Sequence, residues 1–198
     1  MQISLILAHP GEKSFNHAIA EAVATVVEGN GYQVLIHDLY AEKFDPLLPA
    51  GEIARDAELP EAIAEHCREI AAADGIVIVH PNWWGQPPAI LKGWVDRVIR
   101  PGIAYRFDEG DSGEGIPIGL LKAKAALVFN TSNTPERRER EVFGDPLQAL
   151  WKNCIFDFCG VPVFQRRMFS VMVTSTEAER ARWLAEVAAI TSTHFPAV

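Results

Sequence analysis

Three short, nearly unbroken apolar runs constrain this chain more than any other feature: Ile3 to Ala8, Gly75 to His80 and Ala125 to Asn130. A strand wetted on one side alternates polar and apolar residues. A run apolar at successive positions must be covered on both faces, as parallel strands are when helices pack above and below them. Two more β-type runs, Gln33 to Leu39 and a broken one from Val161 to Val173, bring the expected strands to five.

Between the runs the period changes to that of a helix. Phe15, Ala18, Ile19, Ala22, Val23, Val26 and Val27 form one stripe, with Ser14 placed to cap its start and Gly29 and Gly31 to end it. Ile90, Leu91, Trp94, Val95, Val98 and Ile99 form a second, entered through Pro87 and Pro88 and closed by Pro101. A third runs from Leu147 to Phe158, a fourth from Thr176 to His194, and a weaker helix spans Pro60 to Ala73. Strands alternating with helices predict a doubly wound α/β fold: a five-stranded parallel sheet in the order 2-1-3-4-5, helices on both faces, and one domain over residues 1–198. Ligands of such sheets sit beyond the carboxyl ends of the strands, where the order reverses. Two long loops, Tyr40 to Leu59 and Gly102 to Leu121, are expected to be functional or mobile. The second contains Gly102, Gly110, Gly113, Gly115 and Gly119 with Asp108 and Asp111.

Charge narrows the partners. With 18 basic against 26 acidic residues the net charge is −8, which does not suit the phosphate backbone of a nucleic acid. No run approaches the roughly 20 apolar residues of a membrane span, and the first residues lack the basic leader of a secretory signal. Cys67, Cys154 and Cys159 contain no C-x-x-C pair, so a reduced, cytoplasmic setting is expected. The six histidines are scattered, with no pair at metal-ligand spacing, and no metal is expected. No Ser/His/Asp, Cys/His or paired-carboxylate constellation stands out either.

The three loops that follow the inner strands carry the chemistry. His9-Pro10-Gly11-Glu12-Lys13-Ser14-Phe15-Asn16 matches neither the dinucleotide turn nor the phosphate loop. It still brings a hydroxyl, an amide and the free N–H groups of a helix start to the switch point, a set of dipoles that can hold a phosphate; alone, it also reads as an ordinary capped helix. His80-Pro81-Asn82-Trp83-Trp84-Gly85-Gln86 places two tryptophans in a Pro/Gly loop, where a flat aromatic ligand is a suitable partner; a hydrophobic staple is the other reading. Asn130-Thr131-Ser132-Asn133-Thr134-Pro135 can offer hydrogen bonds to a heteroaromatic edge or form a plain capped turn. Together they fit a planar, phosphate-bearing cofactor between an aromatic and a polar loop.

These residues resemble the flavodoxin-like NAD(P)H:quinone oxidoreductases of the DT-diaphorase type. The likeness rests on His9 with Ser14-Phe15-Asn16, on Pro81 through Pro88-Ala89-Ile90-Leu91-Lys92-Gly93-Trp94, and on Asp38-Leu39-Tyr40-Ala41, Phe143-Gly144-Asp145 and Phe158-Cys159-Gly160. The resemblance implies a bound flavin (FAD, with FMN as the alternative), NADH or NADPH as electron donor, a quinone or similar flat acceptor, and a homodimer with active sites at its interface. On this likeness His9, Ser14, Phe15 and Asn16 hold the phosphate side. Pro81, Asn82, Trp83 and Trp84 lie along the isoalloxazine, and Thr131, Ser132 and Asn133 meet it from the other loop. Trp84, with Tyr105 and Phe107 from the partner chain, lines the substrate pocket. No side chain is assigned as catalytic, because the electrons pass through the flavin.

Two departures stand out. The animal enzymes carry a Tyr and a His after strand four; the matching segment here is Pro135-Glu136-Arg137-Arg138, and the His position is Phe143. Arg137 or Arg138 could supply positive charge near the cofactor, or belong to a solvated charge run with Glu139, Arg140 and Glu141. The aromatic after the pocket tryptophan is Gly85. Alternative roles are a non-catalytic flavoprotein subunit of a membrane ion-efflux system and a reductase of azo or nitro compounds.

Overall fold

The computed structural model describes residues 1–108 and 115–198. In chain order its elements are β1 (Gln2–Leu7), α1 (Phe15–Gly29), β2 (Gln33–Asp38), α2 (Glu61–Ala72), β3 (Gly75–Pro81), α3 (Ala89–Val98), β4 (Tyr105–Arg106), β5 (Ile118–Gly119), β6 (Ala125–Ser132), α4 (Glu136–Glu141), α5 (Pro146–Gln148), β7 (Val163–Ser170) and α6 (Glu177–His194). Strands β2-β1-β3-β6-β7 form one parallel sheet. This is the predicted order; only the numbering differs, because β4 and β5 pair antiparallel in a separate two-stranded ribbon.

Burial explains the sequence pattern. Every residue of β3 and β6 is buried, and alternate side chains feed two cores. Ile6, Ile76, Ile78 and Val128 pack with Ile70 of α2 and Trp94 of α3 on one face. Leu5, Val77 and Phe129 pack with Ile19 and Val23 of α1 and Val187 of α6 on the other. The helix caps follow from local chemistry. Ser14 Oγ accepts from the His17 amide at the start of α1, and Thr176 with Glu179 forms a reciprocal capping box at the start of α6.

Three segments differ from the sequence expectation. β7 is continuous to Ser170, and the predicted break is a short 3₁₀ turn, Met172–Thr174. The stripe after Leu147 is wound as a π-helix over Ala149–Asp157. The charged run after Pro135 folds as α4. The 40–59 loop is pinned to the fold. Arg97 and Glu52, both about 95% buried, pair through Nε and Oε2 at 2.9 Å, while Arg97 Nη1 donates to the Asp45 carbonyl at 2.6 Å. A Cβ on Gly93 of α3 would stand 2.2 Å from the Pro46 carbonyl, so only glycine lets the loop lie this close. In the second loop, Leu120 N–H donates to the Ala104 carbonyl; Gly110, Asp111 and Gly113 lie outside the described residues. Among the described residues, no helix is long and apolar enough to cross a membrane.

Candidate functional site

The first, third and fourth strands of the main sheet end side by side, so their loops converge on the carboxyl edge. Main-chain and side-chain hydrogen bonds then lock the loops together. Asn16 Nδ2 donates to Thr131 Oγ1 at 3.0 Å, and the Asn82 amide donates to the Thr131 carbonyl at 2.6 Å. Asn16 is 2% exposed and Thr131 5%, so their side chains bind loop to loop while forming one wall. Between the loops opens a cleft of about 760 Å³, within the range of small-molecule sites.

The aromatic wall has unusual backbone geometry. Trp83 and Gln86 exchange both main-chain hydrogen bonds at 3.0 Å, and the two residues between them, Trp84 and Gly85, have φ of 58° and 71°. That is the left-handed pair of a two-residue hairpin turn. Glycine adopts it freely, and a Cβ on Gly85 would meet Pro146 at 2.8 Å. Trp84 does not: holding it there costs about 1–2 kcal/mol. In this turn its side chain stands fully exposed at the rim of the cleft.

The floor is set by polar groups with defined protons. His9 Nδ1 accepts from the Gly11 amide at 3.0 Å, which leaves the ring proton on Nε2. Burial lowers its pKa, so His9 is a neutral donor near pH 7. Ser14 Oγ lies 2.8 Å from His17 Nδ1, and His17 Nε2 is 3.1 Å from Asp38. With the His17 amide capped, the first-turn N–H groups of Phe15 and Asn16 have no acceptor within their helix. Behind Pro81, His80 Nδ1 donates to the Pro81 carbonyl at 2.8 Å and Nε2 accepts from the Trp151 indole at 3.0 Å. Burial pushes this histidine down to about 4, so it stays neutral and rigid. Asn133 Oδ1 accepts from the Val173 amide at 2.9 Å and draws the Met172–Thr174 turn against the cleft.

The cleft therefore brings together His9, Ser14, Phe15 and Asn16 from the first loop, Pro81, Asn82, Trp83 and Trp84 from the second, and Thr131, Ser132 and Asn133 from the third. Tyr105 and Phe107 do not line it; they pack edge-to-face on Phe158. Neither Arg137 nor Arg138 reaches it. Arg137 pairs with Glu141 and Arg140 with Glu136, all well exposed, while the charged side chain that does line the cleft is Glu139. In the sequence Glu139 stands only as one member of a solvated charge run with Arg140 and Glu141. Its signal was the i,i+4 pairing itself, which turns residues 136, 137, 140 and 141 outward and leaves 139 on the inner face.

The fold also brings two histidines together that are 29 positions apart in sequence. The rings of His37 on β2 and His66 on α2 lie 4.0 Å apart, with Glu42 Oε1 2.9 Å from His37 Nδ1 and Oε2 3.5 Å from His66 Nε2. Three ligand-capable groups thus meet within 4.8 Å, contrary to the expectation from spacing. Hydrogen bonds link all three groups. Trp94 Nε1 donates to His66 Nδ1 at 3.2 Å, which leaves the His66 proton on Nε2, facing Glu42. Both nitrogens of His37 face carboxylates, Glu42 and Glu69.

A five-stranded, doubly wound parallel sheet in this order, with a cleft at its switch point, is the architecture of the flavodoxin type of α/β protein. The chain belongs to the flavodoxin-like fold family, whose sequence profile matches residues 1–190. It is 36% identical over 169 residues to an uncharacterized NAD(P)H oxidoreductase of Haemophilus influenzae, covering 83% of this chain and 81% of that one. It is 29% identical to NAD(P)H dehydrogenase [quinone] 1 of Rattus norvegicus, covering 88% and 70%. The NAD(P)H:quinone oxidoreductase structure from Methanothermobacter marburgensis superposes with a TM-score of 0.83 at 25% identity, covering 96% of this chain and 95% of that one.

Proposed function

We propose that the protein is a flavin-dependent NAD(P)H:quinone oxidoreductase, moving two electrons from NADH or NADPH to a quinone or similar flat acceptor. The observation that carries this reading is the cleft itself. It has a tryptophan wall held in a costly turn, a facing polar wall, and a helix start with open N–H groups at its floor. The named NAD(P)H oxidoreductase relatives support it.

The donor set fits a flavin. His9 Nε2–H and the N–H groups of Phe15 and Asn16 give phosphate oxygens neutral donors, so an anionic group can bind a chain of net charge −8 without a cationic cluster. Trp83, Trp84 and Pro81 offer flat apolar surface to the ring, and Thr131, Ser132 and Asn133 offer polar groups to its edge. FAD is the favoured form on the Ser14-Phe15-Asn16 match, and FMN can use the same phosphate donors. The flavin supplies the redox chemistry when bound; the protein orients it and excludes water. The reading takes residues 1–198 as a single flavodoxin-like flavin-binding domain, acting in the cytoplasm. A homodimer would let Tyr105 and Phe107 of one protomer reach the cleft of its partner. Denaturing the purified protein and weighing the released cofactor tests this directly: FAD or FMN is expected, and protein that neither carries nor takes up either one contradicts it.

A further inference from the structure

Glu139 is 3% exposed and is the one carboxylate lining the cleft among the described residues. It is bonded into both sides of the rim. Its Oε1 accepts from Asn82 Nδ2 at 2.8 Å, and Asn82 Oδ1 in turn accepts from the Gly85 amide at 2.9 Å, inside the turn that carries Trp84. Its own carbonyl accepts from the Asp145 amide at 2.8 Å, closing the Phe143–Asp145 bend. Asp145 is tied to Arg166, whose guanidinium also senses Glu139. No salt-bridge contact within 4 Å joins Glu139 itself to a cation among the described residues, so its charge is only partly offset at the cleft.

We propose that Glu139 is the positioning residue of the flavin site: its carboxylate holds Asn82, and through it the Trp83–Gln86 turn, while its negative charge disfavours the reduced cofactor. This rests on the flavin reading above and adds to it a determinant of affinity and redox poise. The physical reason is that a buried carboxylate bonded to an amide donor fixes that amide's orientation, and Asn82 can cap Gly85 only with its oxygen turned that way. Reduction adds two electrons to the flavin but need not add two protons. A fixed negative charge in the same low-dielectric cleft therefore favours the oxidised form.

Two variants separate geometry from charge. Glu139→Gln keeps an oxygen to accept from Asn82 and removes the charge; Glu139→Ala removes both. For Glu139→Gln the expected result is a flavin dissociation constant close to wild type and a midpoint potential shifted positive, read by anaerobic titration against a reference dye. For Glu139→Ala the dissociation constant, read by flavin fluorescence quenching, should rise about tenfold or more, the effect of losing a charged hydrogen bond. Should Glu139→Ala not fold, Asn82→Ala cuts the same strut from the other side and should weaken flavin binding similarly. An unshifted potential in Glu139→Gln, or unchanged flavin affinity in the strut variant, overturns the inference. Wild-type protein that takes up neither FMN nor FAD overturns the flavin reading itself and this inference with it.

Discussion

The indole N–H of Trp94 on α3 donates to Nδ1 of His66 on α2 at 3.2 Å, deep in the core. Because indole can only donate, this bond decides which His66 nitrogen carries its proton and aims it at Glu42. Glu42 thus becomes the shared acceptor of two histidines, and the loop after β2 is tied to α2 by protons.

This network makes stability depend on pH in a defined window. Burial pushes Glu42 up, but the hydrogen bonds from His37 and His66 outweigh it and lower the carboxyl from 4.5 to about 2. Its contribution is therefore present above about pH 4.5 and is lost as pH falls toward 2. Burial pushes His37 down, but Glu42 and Glu69 outweigh it and raise its pKa above 6.5. That contribution is complete below pH 6.5 and is lost as pH rises through the raised value. The difference in unfolding free energy between wild type and Glu42→Gln should peak between about pH 4.5 and 6.5. Urea titrations across pH check this, and a flat difference contradicts it.

Arg97 and Glu52 pin the 40–59 loop from inside the protein. Removing one partner strands the other charge without water, so Arg97→Ala should destabilise the fold by about 3–5 kcal/mol. Replacing both with apolar residues of similar volume should cost much less. Chemical denaturation of the single and double variants measures the difference.

Trp84 separates stability from binding. Trp84→Gly relieves the left-handed strain, so its thermal midpoint should be no lower than that of wild type. It also removes the aromatic rim, and KM for a quinone should rise about threefold to tenfold, with flavin retained. A lower thermal midpoint with unchanged KM would remove Trp84 from the acceptor pocket.

The sheet was legible because parallel strands buried on both faces leave unbroken apolar runs, as at Gly75 to His80. Ser14 announced its helix through local capping, which depends on near neighbours alone. The three loops were legible because the strand order puts the ends of β1, β3 and β6 together. Glu139 was hidden in a charge run, where only the i,i+4 pairing of its neighbours marks which member turns inward. His37 and His66 were hidden for a different reason: they belong to separate elements and meet only when α2 packs over the sheet. The π-helical winding after Gln148 likewise leaves no mark in an apolar stripe that an α-helix would share.

In the proposed function this cleft passes electrons from a nicotinamide to a flat acceptor through a bound flavin. Anaerobic titration of the yellow, flavin-loaded protein with NADH or NADPH tests it most directly. Flavin absorbance should bleach at about one equivalent of nicotinamide and return when about one equivalent of quinone is added, as a two-electron carrier requires. Absorbance that neither nicotinamide bleaches, or that quinone does not restore, would contradict it.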